Sequence, residues 1–127
     1  MILPILTIAS SAKRGRGVFT TAPIEKDTII EIAPVIVLNN EERIKVEQTL
    51  LYDYIFEWGD DLNQAAVALG YVSIYNHSLS ANCSYEMDFE YQTITIKTMS
   101  AIAKGEELFI NYNGEGATED PDWFEIH

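Results

Sequence analysis

Apolar and polar positions alternate along much of this chain with a period of two. Residues 16–20 and 28–38 (Thr-Ile-Ile-Glu-Ile-Ala-Pro-Val-Ile-Val-Leu) are rich in β-branched side chains and predict strands, because such side chains pack well on a pleated surface. Pro34 cannot donate to a ladder, so it predicts an edge or a bend within the second of them. Residues 84–91 and 93–99 alternate as a hairpin about Gln92, and residues 107–112 predict a last strand. An aromatic ring stands at every second position in Tyr52, Tyr54, Phe56 and Trp58. Period two puts these rings on one face of a strand, by default a core face. Gly59-Asp60-Asp61 predicts a turn, and residues 64–70, small and apolar, leave strand and helix open. The helical signal is brief: Asn39 followed by Glu42 has the spacing of a capping box and predicts a helix over about 40–50.

One stretch echoes another. Ala22-Pro23-Ile24-Glu25-Lys26-Asp27-Thr28-Ile29 resembles Ser100-Ala101-Ile102-Ala103-Lys104-Gly105-Glu106-Glu107-Leu108. Each has an isoleucine, a lysine-centred turn and a strand after it. Two short copies do not make a solenoid, but they predict two similar turn-strand units. The fold class is therefore mainly β, of many short strands with one or two short helices. Residues 113–122, with glycines, a proline and acidic side chains, read as a flexible connection before the apolar pair Trp123-Phe124.

The length of 127 residues fits one domain with a proper core. No apolar run approaches the ~18 residues of a membrane span. The apolar start, interrupted by Pro4, lacks a basic flank and does not read as a signal peptide, so the expected location is intracellular. The single cysteine, Cys83, makes no internal disulfide and no cysteine-based zinc site. A net charge of −12 disfavours nucleic acid, whose binding is dominated by phosphate neutralisation. It favours cationic ligands instead, although such a charge also simply keeps a protein soluble.

The chemical motifs are individually weak. Gly15-Arg16-Gly17 fails as a dinucleotide fingerprint, because Thr20 takes the third glycine position and a strand follows where a helix is required. Taken alone it is a tight turn before a strand. Asn76-His77-Ser78 lacks the surroundings of a hydrolase, since adjacent residues cannot serve as nucleophile and base. His77 with Cys83 has no further support as a thiol enzyme, and Cys83 reads as a small buried side chain. The residues alone stop at an acidic, β-rich domain.

Order and spacing go further. Lys13-Arg14-Gly15-Arg16-Gly17-Val18-Phe19, then Ile24-x-Lys26, then Ile29-Ile30-Glu31, resembles the opening motif of SET domains. Asn76-His77-Ser78-x-x-x-Asn82-Cys83 resembles their asparagine-histidine-serine motif, with Ala81 in place of the usual proline. Lys104 to Tyr112 resembles their terminal motif, with Asn111 in place of the commoner aspartate. The resemblance runs from about residue 6 to 113 and is to the short, free-standing SET proteins of bacteria and large viruses.

That resemblance implies a SET domain over 1–113, a β-clip of small curved sheets with a C-terminal pseudoknot, and a short tail over 114–127 without zinc cysteines. It implies methyl transfer from S-adenosylmethionine to a lysine of a basic protein, a histone or histone-like tail among the options. Cofactor binding would fall to Lys13, Arg16, Gly17, Asn76 and His77, with Trp123 stacked on the adenine. Tyr112 would be the catalytic tyrosine, with Tyr85 and Tyr54 completing a lysine channel. No metal and no membrane are involved, a homodimer is left open, and the site of action would be cytoplasmic in a bacterium or nuclear for a viral or eukaryotic protein. The alternatives are a catalytically silent SET domain serving as a binding module and, last, a methyltransferase for another acceptor.

Overall fold

The computed structural model describes residues 1–12 and 15–112. Its strands are β1 (Leu6–Ser11), β2 (Gly15–Thr20), β3 (Ile29–Leu38), β4 (Ile55–Trp58), β5 (Gln64–Ala68), β6 (Asn76–His77), β7 (Cys83–Asp88), β8 (Thr93–Thr98) and β9 (Glu107–Ile110). They form two sheets, ordered β1-β2-β9-β6 and β4-β5-β3-β8-β7. One α-helix, α1 (Asn40–Val46), and two 3-10 helices, Leu50–Tyr54 and Val72–Ile74, complete the described residues. No helix among them is long and apolar enough to cross a membrane.

The long strand β3 belongs to two ladders. Its first part, Ile29 to Pro34, pairs with β8, and Val35 to Leu38 pairs with β5. Pro34 sits where one partner gives way to the other, at the junction of the two ladders, and β3 is an inner strand of its sheet. A register shift between Ile29 and Glu31 adds curvature. Alternation places Ile94, Ile96 and Thr98 of β8 and Leu108 and Ile110 of β9 inward, with Val18, Ile30 and Val72. The predicted hairpin is β7–β8, with Asp88 opposite Thr93 and Gln92 in the turn at a φ of 54°.

Three elements differ from expectation. The capping box forms, with Asn39 and Glu42 exchanging both hydrogen bonds, but α1 ends at Val46. Its residues are all outside the core, so packing adds nothing to prolong it. The aromatic series 52–58 is not one strand. Thr49 caps a 3-10 turn by accepting from the Leu51 N–H at 3.2 Å, and β4 begins only at Ile55. Tyr52 and Tyr54 consequently stay exposed, while Trp58 is buried and meets Phe89 edge-on at 4.9 Å. The last strand stops at Ile110, leaving Asn111 and Tyr112 beyond it.

The internal echo has a structural counterpart. Ile24 and Ile102 are buried and exchange backbone hydrogen bonds of 2.9 and 2.8 Å. The Asp27 N–H donates to the Thr98 carbonyl and the Gly105 N–H to the Thr20 carbonyl, at 2.9 and 2.8 Å. The Thr98 N–H donates to the Thr28 carbonyl and the Thr20 N–H to the Glu106 carbonyl, which form the matching pair. Every partner is displaced by the same interval, so the two units face each other about a local two-fold axis.

β9 lies between β2 and β6, antiparallel to the first and parallel to the second, with Asn76 beside Phe109 and His77 beside Ile110. This is the expected threading of the last motif against the asparagine-histidine pair.

One buried charge stands out. Glu31 is fully buried; its carboxylate accepts from the Tyr71 N–H at 2.7 Å and the Tyr75 hydroxyl at 2.9 Å. Burial pushes its pKa above the ordinary value of 4.5, against the lowering effect of those two donors. A carboxyl with a raised folded pKa holds its proton longer folded than unfolded. Its contribution to stability is therefore greatest at low pH and declines as pH rises past 4.5. Thermal melts of wild type and Glu31→Gln between about pH 4 and 8 should show the balance moving toward the variant as pH rises. A difference moving the other way would contradict the burial argument.

Candidate active site

β2, β6 and β9, with the end of β1, build a cradle in which the buried Asn76 meets the half-buried Glu107 and Ser11. Asn76 is 9% exposed, and its Nδ2 donates to the Arg16 carbonyl at 3.0 Å and to Glu107 Oε2 at 2.8 Å. The Ser11 hydroxyl donates to Oε1 of the same carboxylate at 2.7 Å. Gly17 permits this closeness: a Cβ there would overlap the Glu107 carboxylate and stand 2.9 Å from Asn76 Nδ2. At Gly15, whose φ is 72°, an added Cβ would meet nothing within 4 Å, so the demand for glycine there comes from the backbone conformation. Gly17→Ala should lower stability by about 1–3 kcal/mol, as overpacking does. Urea unfolding checks this; an unchanged midpoint would mean that the carboxylate swings aside freely.

His77 and Tyr112 lock together beside this cradle. His77 is 4% exposed and its Nδ1 accepts the Tyr112 backbone N–H at 3.0 Å, which leaves the neutral ring's proton on Nε2. The two rings lie 5.0 Å apart. The Tyr112 hydroxyl donates to the Tyr75 carbonyl at 2.6 Å, so the side chain is held at its far end as well. The Tyr85 hydroxyl donates to the Tyr112 carbonyl at 3.1 Å.

Tyr54, Tyr85 and Tyr112 come together on the wall of one cavity of about 340 Å³, with Phe56, Asp53 and Glu57. Burial raises the pKa of Tyr85, and the nearby Glu57 charge acts in the same direction. Both causes favour the protonated phenol, which is the form that donates to the Tyr112 carbonyl.

The other residues singled out by sequence divide. Arg16 and Gly17 lie at the cradle, Arg16 through its carbonyl. Lys13 and Trp123 lie outside the described residues. Cys83 is 1% exposed and burial pushes its thiol up to about 12, so it is an inert packing group. Ser78 Oγ accepts the Ser80 N–H at 3.1 Å, a local turn contact with no hydrolytic arrangement.

Sequence reasoning missed three residues here. Asn82 donates to the Glu107 carbonyl at 2.9 Å and accepts the Phe109 N–H at 2.8 Å, serving as a one-residue strand partner for β9. It stands inside a recognised motif, so a signal existed. Glu107 was legible as part of the terminal motif but not as the carboxylate of the cradle. Tyr75 carried no signal beyond preceding Asn76.

Comparisons with known proteins follow the same lines. The SET domain profile matches residues 15–113. A Schizosaccharomyces pombe protein, a histone-lysine N-methyltransferase specific for H3 lysine-37, is 35% identical over 121 residues, covering 94% of this chain and 77% of its own. The structure of a candidate histone methyltransferase from Plasmodium falciparum superposes with a TM-score of 0.67 at 30% identity, covering 87% of this chain and 95% of that one. Polycomb Repressive Complex 2 from Chaetomium thermophilum, in an autoinhibited conformation bound to S-adenosylmethionine, gives a TM-score of 0.71 at 18% identity. This chain spans 15% of that one, and the likeness is one of fold.

Proposed function

This chain belongs to the SET-domain family, and from that premise we propose that it is an S-adenosylmethionine-dependent protein-lysine methyltransferase whose lysine channel is the cavity lined by Tyr54, Tyr85 and Tyr112. The observation that carries the reading is the meeting of these tyrosines on one wall, with the Tyr112 hydroxyl tied to the main chain immediately before Asn76-His77.

The cradle fits the cofactor's chemistry. Carbonyl oxygens, the Asn76 amide and the Glu107 carboxylate are partners for an ammonium, for hydroxyls and for a positive sulfur. S-adenosylmethionine supplies a sulfonium methyl group open to direct displacement by an amine. Arg16, Gly17, Asn76 and His77 hold the cofactor in this reading, joined by Lys13, and Trp123 stacks on the adenine.

The protein's own contribution is to strip, aim and align the lysine. Aromatic walls remove water from its amine, which lowers the amine's pKa and favours the neutral nucleophile. The same rings tolerate a methylated cationic product, worth about 0.5–2 kcal/mol per contact. Tyr112 orients the amine through its anchored hydroxyl, Tyr85 braces the Tyr112 carbonyl, and Tyr54 stands at the exposed rim. Alignment of this kind can supply several kcal/mol, on the order of 7–11 in the best cases. No side chain needs to form a covalent bond to the substrate.

The substrate is a lysine-rich, basic protein. The net charge of −12, with Asp53 and Glu57 at the cavity, attracts such a chain. A histone tail is the first to test, and with it a nuclear site of action. The test is transfer of labelled methyl from S-adenosylmethionine to histones and other basic proteins, alongside calorimetry of cofactor binding. Binding without transfer to any of them would make the domain a silent binding module. No binding at millimolar cofactor would remove the reading altogether.

A further inference from the structure

We infer that Glu31 is a positioning residue for Tyr112, acting through the side chain and carbonyl of Tyr75; the role in turnover rests on the methyltransferase reading above. Three contacts make the path. Glu31 Oε1 accepts the Tyr75 hydroxyl at 2.9 Å, and Glu31 Oε2 accepts the Tyr71 N–H at 2.7 Å. The Tyr75 carbonyl then accepts the Tyr112 hydroxyl at 2.6 Å.

Tyr75 is thus fixed at both ends. Its ring is fully buried, its hydroxyl is held by Glu31 from β3, and its carbonyl faces the cavity tyrosine. It forms the joint between the 3-10 turn Val72–Ile74 and the two-residue strand β6. A strand that short has few ladder bonds of its own, so the direction of the Tyr75 carbonyl depends on how its side chain is anchored. Glu31 also grips the preceding turn through Tyr71. Gly70, with a φ of 84°, leaves no room for a Cβ against the Glu31 carboxylate.

A carboxylate is an expensive way to fill a core, because a buried charge is disfavoured unless its hydrogen bonds are made. An apolar side chain at position 31 would avoid that cost but would leave the Tyr75 hydroxyl and Tyr71 N–H without an acceptor. What the carboxylate provides is two directed bonds to two points of one segment, and that segment ends at the carbonyl holding Tyr112. The chemistry is sensitive to such placement, since about 1 Å of misplacement in an active site can cost a hundredfold in rate.

The test compares wild type, Tyr75→Phe and Glu31→Gln by two readouts. The first is ¹⁹F NMR of ligand-free protein carrying 3-fluorotyrosine in place of Tyr112 alone. Both variants should shift or broaden the position-112 resonance. The second is single-turnover methyl transfer, where each variant should lose roughly five- to thirtyfold in rate, with cofactor and peptide affinity within about threefold. In a Tyr112→Phe background, Tyr75→Phe should add less than about twofold, because residues acting through one contact do not add. Tyr75→Phe keeps the ring and leaves Glu31 its Tyr71 contact, so it decides the matter even where Glu31→Gln fails to fold. An unmoved resonance, or full additivity of Tyr75→Phe with Tyr112→Phe, overturns the proposal. Absence of methyl transfer by the wild type would overturn the methyltransferase reading instead, while the NMR comparison still decides whether Tyr75 and Glu31 position Tyr112.

Discussion

Replacing Tyr112 by phenylalanine is expected to slow single-turnover methyl transfer by roughly a hundredfold or more, the effect of removing one directed contact worth about 3–4 kcal/mol in a water-excluded site. The ring stays, and with it the contact with His77 and the packing against the core. The backbone bond from the Tyr112 N–H to His77 is untouched, so the end of β9 should keep its place. What disappears is the hydroxyl that donates to the Tyr75 carbonyl at 2.6 Å. Stability should therefore change by no more than about one hydrogen bond's net worth, ~0.5–1.5 kcal/mol. Cofactor affinity should hold within a few-fold. The decisive measurement uses saturating cofactor and peptide. Wild-type turnover by Tyr112→Phe would remove Tyr112 from the catalytic role and make Tyr85 the next residue to examine.

Asn76→Asp should be nearly as damaging, by another route. The substitution keeps the shape of the side chain and replaces a donating nitrogen by an oxygen. That nitrogen lies 2.8 Å from Glu107 Oε2 and 3.0 Å from the Arg16 carbonyl. Two carboxylates so close cannot both ionise cheaply, and one takes up a proton. The deficit at neutral pH should be about 2–4 kcal/mol, from the lost bonds and the repulsion together. Its sign with pH follows from linkage. The pair holds a proton in the folded variant that the unfolded chain gives up, so the deficit grows as pH rises and shrinks toward the carboxylate range. Urea titrations near pH 5 and 7.5 give the slope, and calorimetry should find cofactor affinity reduced tenfold or more, each tenfold being about 1.4 kcal/mol. A deficit independent of pH would mean that Glu107 does not face position 76.

Much of the fold was legible because it is locally encoded. The Asn39–Glu42 box, the β7–β8 alternation and the echo around Ile24 and Ile102 depend on neighbours within a few residues or on a repeated pattern. The failures have equally definite causes. Thr49 starts a 3-10 turn whose local cap overrode the two-residue aromatic period, so Tyr52 and Tyr54 left the face that Trp58 occupies. Nothing local marks Glu31 as interior, and only the turn at Gly70–Tyr71 and the Tyr75 ring reveal it. Tyr112 and Tyr85 were singled out by their places in or beside the motifs, and Tyr54 by the aromatic series at 52–58. Their meeting depends on separate segments, at residues 54, 85 and 112, that no periodicity connects.

The place of β9 between β2 and β6 has a consequence for kinetics. Neither Asn76 nor Gly17 has its neighbour Glu107 until the last strand has entered, and the pairing of Asn76 with Phe109 closes a long loop of chain. Loop closure of this kind is slow relative to helix and hairpin formation. A refolding chain should therefore gain β7–β8 and much of its hydrophobic collapse while still unable to hold a cofactor. Ligand then stabilises the finished molecule alone, by mass action. In a stopped-flow experiment, recovery of cofactor binding should follow the slowest folding phase and show no burst, making the ligand a clock for the final threading event.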